Sequence, residues 1–282
     1  MVTPFTAAGE LDLDGAAKLA SYLVDDQHND ALVISGTTGE APTTTDDEKA
    51  DLIAAVKQAV GDRAKLVAGI GTFDTAHSIE LAGQAAAAGA DGLLAVTPYY
   101  SRPPQAGVLA HFLAIADATE LPVMIYDIPK RTGIEVATET LIELARHRRI
   151  VAVKDAKQDL AASSRVIAET ELAFYAGDDA ITLPMLAIGG VGVVGTSTHF
   201  SGAVTKRLIE AYLRGDLAEA LALHQQLLPI FTGVFRAQGV TMVKAGLQLQ
   251  GRSVGSVRLP QVPATEQEIN SLRADLAASR LL

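Results

Sequence analysis

Cysteine and tryptophan are absent from the 282-residue chain, and only 5% of its residues are aromatic. Without thiols there is no disulfide frame and no thiolate chemistry. With few rings, a chain that is 49% hydrophobic must fill its interior with Ala, Val, Leu and Ile. Those residues suit helices packed tightly on parallel strands. Basic clusters are also scarce. Lys and Arg number 23 against 33 Asp and Glu, a formal net charge of -10. The one short run, "RHRR" at 146–149, reads as the close of a helix, where cations meet the negative end of the dipole. Nucleic acid and anionic membranes are therefore poor partners. No apolar run reaches the roughly 18 residues of a membrane-spanning helix. The opening "MVTPF" has no signal-peptide pattern, so a cytoplasmic protein is expected. His28, His77, His111, His147, His199 and His224 are scattered without H-x-H or H-E-x-x-H spacing, which argues against a metal site.

What the chain does have is a repeated alternation of short apolar runs and Ala/Leu-rich amphipathic stretches. The runs are "DALVISG" (30–36), "KLVAGIG" (65–71), "GLLAVTPY" (92–99), "PVMIYDIP" (122–129), "IVAVKDA" (150–156), "LAFYAGD" (172–178) and "GVGVVGTS" (190–197). "MVTP" at the start reads as the tail of an eighth strand. Helices are expected over 46–60, 75–88, 105–118, 138–147, 159–170 and 201–214. "TTDDEK" and "DTAHSIE" offer capping side chains ahead of polar first turns. Eight alternating strands and helices point to an α/β fold, a (β/α)8 TIM barrel over residues 1–214. An open doubly wound sheet is the alternative, usually with fewer strands and an early phosphate-binding glycine loop. "GVGVVG" at 190–195 fits G-x-G-x-x-G but lies inside a strand candidate, which argues against a dinucleotide site. Beyond residue 215 the pattern is purely helical (216–236, 239–250 and 264–279). It predicts a C-terminal three-helix extension over 215–282.

In a barrel, catalytic residues sit at the C-terminal strand ends. Lys154 follows the apolar Ile150–Val153. Strand alternation puts Ala152 and Lys154 on one face. An amine in that crowded interior loses hydration, which favours the neutral nucleophile and a Schiff base with a carbonyl. The plainer reading is a strand-end lysine paired with Asp155. Tyr126, one strand earlier, shares a face with Met124. It is either a proton relay for an imine or a buried tyrosine with a satisfied hydroxyl. "GTTGE" (36–40) offers backbone N–H groups and two hydroxyls to a carboxylate, or is an ordinary helix-capping turn. Arg131, on the loop "PKRTG", clamps a second carboxylate bidentately or is a surface arginine. Tyr99 and Tyr100 point in opposite directions if extended, so at most one of them faces this site.

Taken together, "GTTGE", "TPYY", "YDIPKRTG", "VAVKDA" and "GDD" resemble, in order and spacing over essentially the whole chain, the pyruvate-dependent class I lyases. That family holds the dihydrodipicolinate synthases and the N-acetylneuraminate lyases. The position of Arg131 resembles the synthases, whose second substrate brings a carboxylate to such an arginine. The resemblance implies that Lys154 forms a Schiff base with pyruvate. It makes Tyr126 the proton relay, hydrogen-bonded with Thr38 and with a Tyr100 donated across a dimer interface. Thr37 and Thr38 would hold the pyruvate carboxylate and Arg131 would hold L-aspartate 4-semialdehyde. Gly177 and Val194 would line the pyruvate pocket, largely through backbone. The product would serve lysine and diaminopimelate biosynthesis. No cofactor would be needed, and a homotetramer built as a dimer of dimers is implied.

Three departures carry consequences. Where relatives read "KEATG", this chain reads "KDAKQ" (154–158), which reshapes the loop after Lys154. The first strand is expected to be shorter than in relatives. Lysine-inhibited relatives have an amide and a carboxylate at the positions of Phe73 and His77, and often a histidine at that of Lys49, so lysine feedback is expected to be weak or absent. Another pyruvate-dependent aldolase, such as an N-acetylneuraminate lyase or a 2-keto-3-deoxy sugar acid aldolase, is the enzymatic alternative, which Arg131 argues against. A catalytically silent scaffold barrel is the non-enzymatic one.

Overall fold

The computed structural model describes residues Met1–Leu282. It divides into two compact units, Met1–Lys65 with Gly195–Leu282, and Leu66–Val194. The first unit carries α1 (Leu13–Asp25), β1 (Ala31–Ile34) and α2 (Asp46–Val60). The second holds β2 (Lys65–Gly69) from Leu66 on, α3 (Thr75–Ala87), β3 (Gly92–Val96), α4 (Gln105–Asp117), β4 (Val123–Asp127), α5 (Pro129–Thr132) and α6 (Thr138–Leu144). It continues through β5 (Ile150–Asp155), α7 (Leu160–Glu169), β6 (Ala173–Ala176), α8 (Thr182–Ala187) and β7 (Gly192–Val193). The chain then completes the first unit with α9 (Thr198–Leu213), α10 (Leu217–Gly233), α11 (Gly239–Leu249) and α12 (Glu266–Ala278). No helix is long and apolar enough to cross a membrane.

Capping explains where the helices begin. The Thr45 hydroxyl accepts from Glu48 N–H at 3.2 Å and the Glu48 carboxylate accepts from Thr45 N–H at 2.9 Å, a capping box that opens α2. Asp74 accepts from Ala76 N–H at 2.9 Å and starts α3. Asp159 accepts from Ala162 N–H at 3.0 Å and starts α7. "RHRR" does not close a helix as expected: α6 ends at Leu144 without a basic residue in its last turn, and the run lies beyond it, with the Arg146 guanidinium 2.6 Å from the Glu143 carboxylate.

Seven strands form, not eight. The expected strand at "MVTP" is replaced by chain outside any ladder, with one antiparallel bridge between Phe5 and Leu11. Thr3 spends its hydroxyl on the Gly39 carbonyl at 2.6 Å, so this segment is tied by side chains rather than by a strand register. The last strand contracts to Gly192–Val193. Strands β2 to β7 pair in sequence order and all in parallel, as consecutive β–helix–β crossovers require. Their interior is aliphatic: Leu93, Ala95, Val123 and Ile125 are fully buried, beside Phe112 and Ile115 of α4. Each such Leu, Ile, Val or Phe contributes about 1.5–3 kcal/mol by leaving water.

One irregularity positions the chemistry. Between β4 and β5 the register shifts after Val123, which pairs with Ile150, so that Met124 pairs with Ala152. Val151 is the extra residue, 42% exposed. A one-residue slip turns every following side chain to the other face. Tyr126 therefore lies opposite Lys154 instead of Val153.

Candidate active site

Lys154 is the last residue but one of β5 and is half-buried, between Tyr126 of β4 and Tyr175 of β6 in register. Its Nζ lies 4.1 Å from the centroid of the Tyr126 ring. Tyr126 is 5% exposed. Its carbonyl accepts from both the N–H and the hydroxyl of Thr97, each at 3.1 Å, and this pins the end of β4 to the end of β3. The pairing of Lys154 with Asp155 that the sequence left open does not form. Asp155 points to the opposite face, where its Oδ1 accepts from Lys157 N–H at 2.8 Å and Gln158 N–H at 3.3 Å. Its Oδ2 accepts from the Ser163 hydroxyl.

Gly177 follows β6, and its N–H donates to the Asp155 carbonyl at 2.6 Å. A Cβ there would stand 2.9 Å from that same carbonyl oxygen and 3.0 Å from Ala156 Cβ. Only glycine allows the two strand ends so close. Val194 is half-buried, and its N–H donates to the Ala176 carbonyl at 2.9 Å. Arg131 is exposed on α5, a single helical turn that Gly133 closes in left-handed conformation at φ 79. Tyr99 and Tyr100 do part company. Tyr99 packs edge-on against Phe73 at 5.5 Å, and burial raises its phenol above the usual range. Tyr100 has a left-handed backbone, φ 69, and is 91% exposed.

The loop after Lys154, where this chain departs from the expected pattern, makes two links. The Lys157 ammonium lies 3.6 Å from Asp127 Oδ2 and donates to the Val136 carbonyl at 3.3 Å. Asp127 is 1% exposed; burial pushes its carboxyl up to about 7, against the opposing pull of Lys157. Gln158 adopts a left-handed backbone, φ 68. It accepts from Lys130 Nζ at 3.0 Å and donates to Asp178 Oδ2 at 2.6 Å. One side chain thus ties together the loops after β4, β5 and β6.

Thr37 and Thr38 belong to the first unit, on the turn after β1. Thr37 is exposed and Thr38 half-buried. Gly39 N–H donates to the Gly36 carbonyl at 3.0 Å and Glu40 N–H to that of Thr37 at 3.2 Å. Ser35 and Glu40 bracket the turn in left-handed conformation, both at φ 57. The turn does not cap α2, since Thr45 does that. A cleft of about 350 Å³ in the same unit is lined by His28, Asn29, Arg63, Lys206 and Arg207. Its cations are matched by acids, Arg63 by Asp25, Lys206 by Asp30 and Arg207 by Glu219, so it is not an anion site.

Asp127 and Lys244 escape a reading of the sequence alone. Lys244 closes the apolar run "VTMV" as Lys154 closes "IVAV", and it is buried more deeply, at 6% exposure. The signal that found one lysine was present for the other. The geometry separates them: the Lys244 ammonium is 2.8 Å from the Glu40 carboxylate, while that of Lys154 rests on a ring face.

Three comparisons bear on this arrangement. A model of the dihydrodipicolinate synthetase family matches residues 1–279. The chain is 65% identical over 279 residues to 4-hydroxy-tetrahydrodipicolinate synthase of Acidothermus cellulolyticus, across 99% of this chain and 90% of that one. It is 58% identical over 281 residues to the protein of the same name from Cutibacterium acnes, across 100% and 96% of the two chains. Its backbone is similar, with a TM-score of 0.96 and 41% identity, to the crystal structure of the Cyanidioschyzon merolae synthase with lysine bound, across 100% of this chain and 97% of that one.

Proposed function

Because the chain belongs to the dihydrodipicolinate synthetase family, we propose that it is a 4-hydroxy-tetrahydrodipicolinate synthase, a lyase that condenses pyruvate with L-aspartate 4-semialdehyde through Lys154. The observation that carries the proposal is the register pair of Lys154 and Tyr126, with the amine 4.1 Å from the ring centroid. The finer fold that goes with this reading is a TIM barrel in which chain outside the ladder stands in place of the eighth strand, with the last three helices as an extension.

The Lys154 amine adds to the pyruvate ketone carbon and gives a carbinolamine. Tyr126 returns a proton to the departing hydroxyl, water leaves, and an iminium remains. Loss of a methyl proton turns the iminium into an enamine. The enamine carbon attacks the aldehyde of the second substrate, and the new alkoxide takes up a proton. The amino group of that substrate then adds to the iminium carbon, closes the ring and expels Lys154 as the free amine. The iminium is the electron sink, so this chemistry calls for no metal or organic cofactor.

Thr37 and Thr38 hold the pyruvate carboxylate in this reading, and Gly177 and Val194 line the pyruvate pocket through backbone. Arg131 holds the carboxylate of the semialdehyde as a planar two-pronged donor. Tyr100 serves the relay of a second copy, which fits its 91% exposure on a single chain, and a tetramer built as a dimer of dimers is the assembly proposed. The enzyme would work in the cytoplasm, for lysine and diaminopimelate biosynthesis. The deciding experiment is incubation with pyruvate, reduction with borohydride and peptide mass mapping. The expected result is a pyruvate-derived mass increment on Lys154. An unmodified Lys154 sinks the mechanism.

A further inference from the structure

Lys244 carries a second buried ammonium that the proposed chemistry does not use. It sits within α11, and its Nζ donates to the Ser256 carbonyl at 2.6 Å. It also lies over the Phe5 ring, 4.4 Å from the centroid. Its contact with Glu40 Oε1, at 2.8 Å, is an ion pair set off the ideal hydrogen-bond angle. Glu40 is 3% exposed. Its other oxygen accepts from the Arg258 N–H at 2.8 Å. The Arg258 guanidinium in turn grips Glu48 at 2.6 and 2.8 Å and donates to the Gly9 carbonyl at 2.7 Å.

Glu40 is the last residue of "GTTGE". A carboxylate buried this far needs a cation to remain there, and a non-glycine residue at φ 57 needs support from outside its own backbone. The ion pair supplies both. The turn it terminates is short and stiff. Ala41 N–H and Gly39 N–H both donate to the Gly36 carbonyl, at 3.3 and 3.0 Å. A Cβ on Gly39 would meet the Met1 carbonyl oxygen at 3.1 Å and Ser35 N at 3.2 Å. With so little slack, a displacement of Glu40 carries Thr37 and Thr38 with it.

We propose that Lys244 is a positioning residue for the pyruvate carboxylate: through Glu40 it locks the turn that presents Thr37 and Thr38. The inference rests on the function proposed above. It goes beyond that function by assigning part of pyruvate affinity to an α11 lysine that takes no part in the imine chemistry.

Two variants test it. Glu40→Asp keeps both charges buried but shortens the carboxylate arm by one methylene, so the turn must move or the pair must stretch. The double variant Lys244→Met with Glu40→Gln removes both charges together and avoids leaving one buried alone. In folded protein, verified by thermal melting and circular dichroism, the expected result is a pyruvate KM raised roughly 10-fold or more. The KM for the semialdehyde should stay put, and borohydride trapping on Lys154 should persist at saturating pyruvate. An unchanged pyruvate KM in a folded variant overturns the proposal, as does an equal rise in both KM values. If neither variant folds, the pair is a folding requirement and the positioning role is likewise overturned. The unaltered protein is trapped in parallel. A missing adduct there would count against the proposed function, not against the role of Lys244.

Discussion

Lys154 and Tyr126 face one another because Val151 has no partner on β4. The shift after Val123 inserts one residue into β5, and every later pair, through Asp127 with Asp155, inherits it. Deletion of Val151 should remove the unpaired residue and let Ala152 follow Ile150 directly, so that Met124 still meets Ala152 and Tyr126 still meets Lys154. The expected outcome is a borohydride-trapped pyruvate adduct that persists in protein with unaltered helical circular dichroism. A folded deletion variant without the adduct would show that the amine depends on the bulge itself and not on the pairing.

Tyr126→Phe keeps the ring under the Lys154 ammonium and removes only the hydroxyl. With a general acid–base partner lost, kcat should fall by about 10²–10⁴-fold. The adduct should still form on prolonged incubation, because the nucleophile is untouched. A kcat within a few-fold of the unaltered protein would take the relay away from Tyr126.

Acid should weaken the fold through His199. Its Nε2 accepts from Val2 N–H at 3.0 Å and its Nδ1 bonds the Thr196 carbonyl at 2.8 Å. Burial first, and then the ammonium of the N-terminus, depress its pKa to about 3. The unfolded chain takes up a proton near the ordinary value of about 6.5, so stability is present in full above that pH and declines as pH falls toward 3. His199→Gln should melt lower than the unaltered protein at pH 7, with the gap narrowing at pH 4.5. A gap that widens on acidification would mean that the imidazole is charged in the fold.

Gln158→Gly should relieve the left-handed backbone at that position, an effect of about 1 kcal/mol or somewhat more. It also deletes the link between Lys130 and Asp178, worth a similar amount in hydrogen bonds. Little net change in melting temperature is expected. Lys130 adjoins Arg131, so the KM for the semialdehyde should rise several-fold while that for pyruvate holds. Equal KM values before and after substitution would reduce Gln158 to a loop filler.

Lysine should be a poor inhibitor. Phe73 is 60% exposed and engages Tyr99 by its ring edge, offering no hydrogen-bonding side chain. The Lys49 ammonium is committed to the Thr44 carbonyl at 2.7 Å and to Asp46 at 3.2 Å. Steady-state assays with added lysine should show little effect, and a sub-millimolar inhibition constant would contradict this.

Most of the parallel ladder was legible in the sequence, because each buried strand is a short aliphatic run with turn residues at its ends. Helices α2 and α3 could be started to the residue because Thr45, Glu48 and Asp74 act locally. The eighth strand was not legible: "MVTP" has the composition of a strand, but Thr3 and the backbone of Val2 take side-chain and turn partners far along the chain. The places of Lys154 and Tyr126 at the ends of neighbouring strands followed from the apolar runs, while Tyr99 and Tyr100 part through the left-handed backbone of Tyr100 and not through extended alternation. The link from Lys157 to Asp127 and the pairing of Lys244 with Glu40 were not legible, since each joins loops or elements whose proximity no local pattern encodes.

The division of the chain orders its folding. Leu66–Val194 is contiguous and pairs each strand with the next one in sequence, so its contacts need only short loops to close. Met1–Lys65 must instead wait for residues beyond Gly195. His199 meets Val2 across 197 positions, and Lys244 meets Glu40. During synthesis the unit bearing Lys154 is complete in sequence while Val2 and Glu40 still lack His199 and Lys244. The period of greatest exposure to aggregation therefore falls on the segment that carries Thr37 and Thr38.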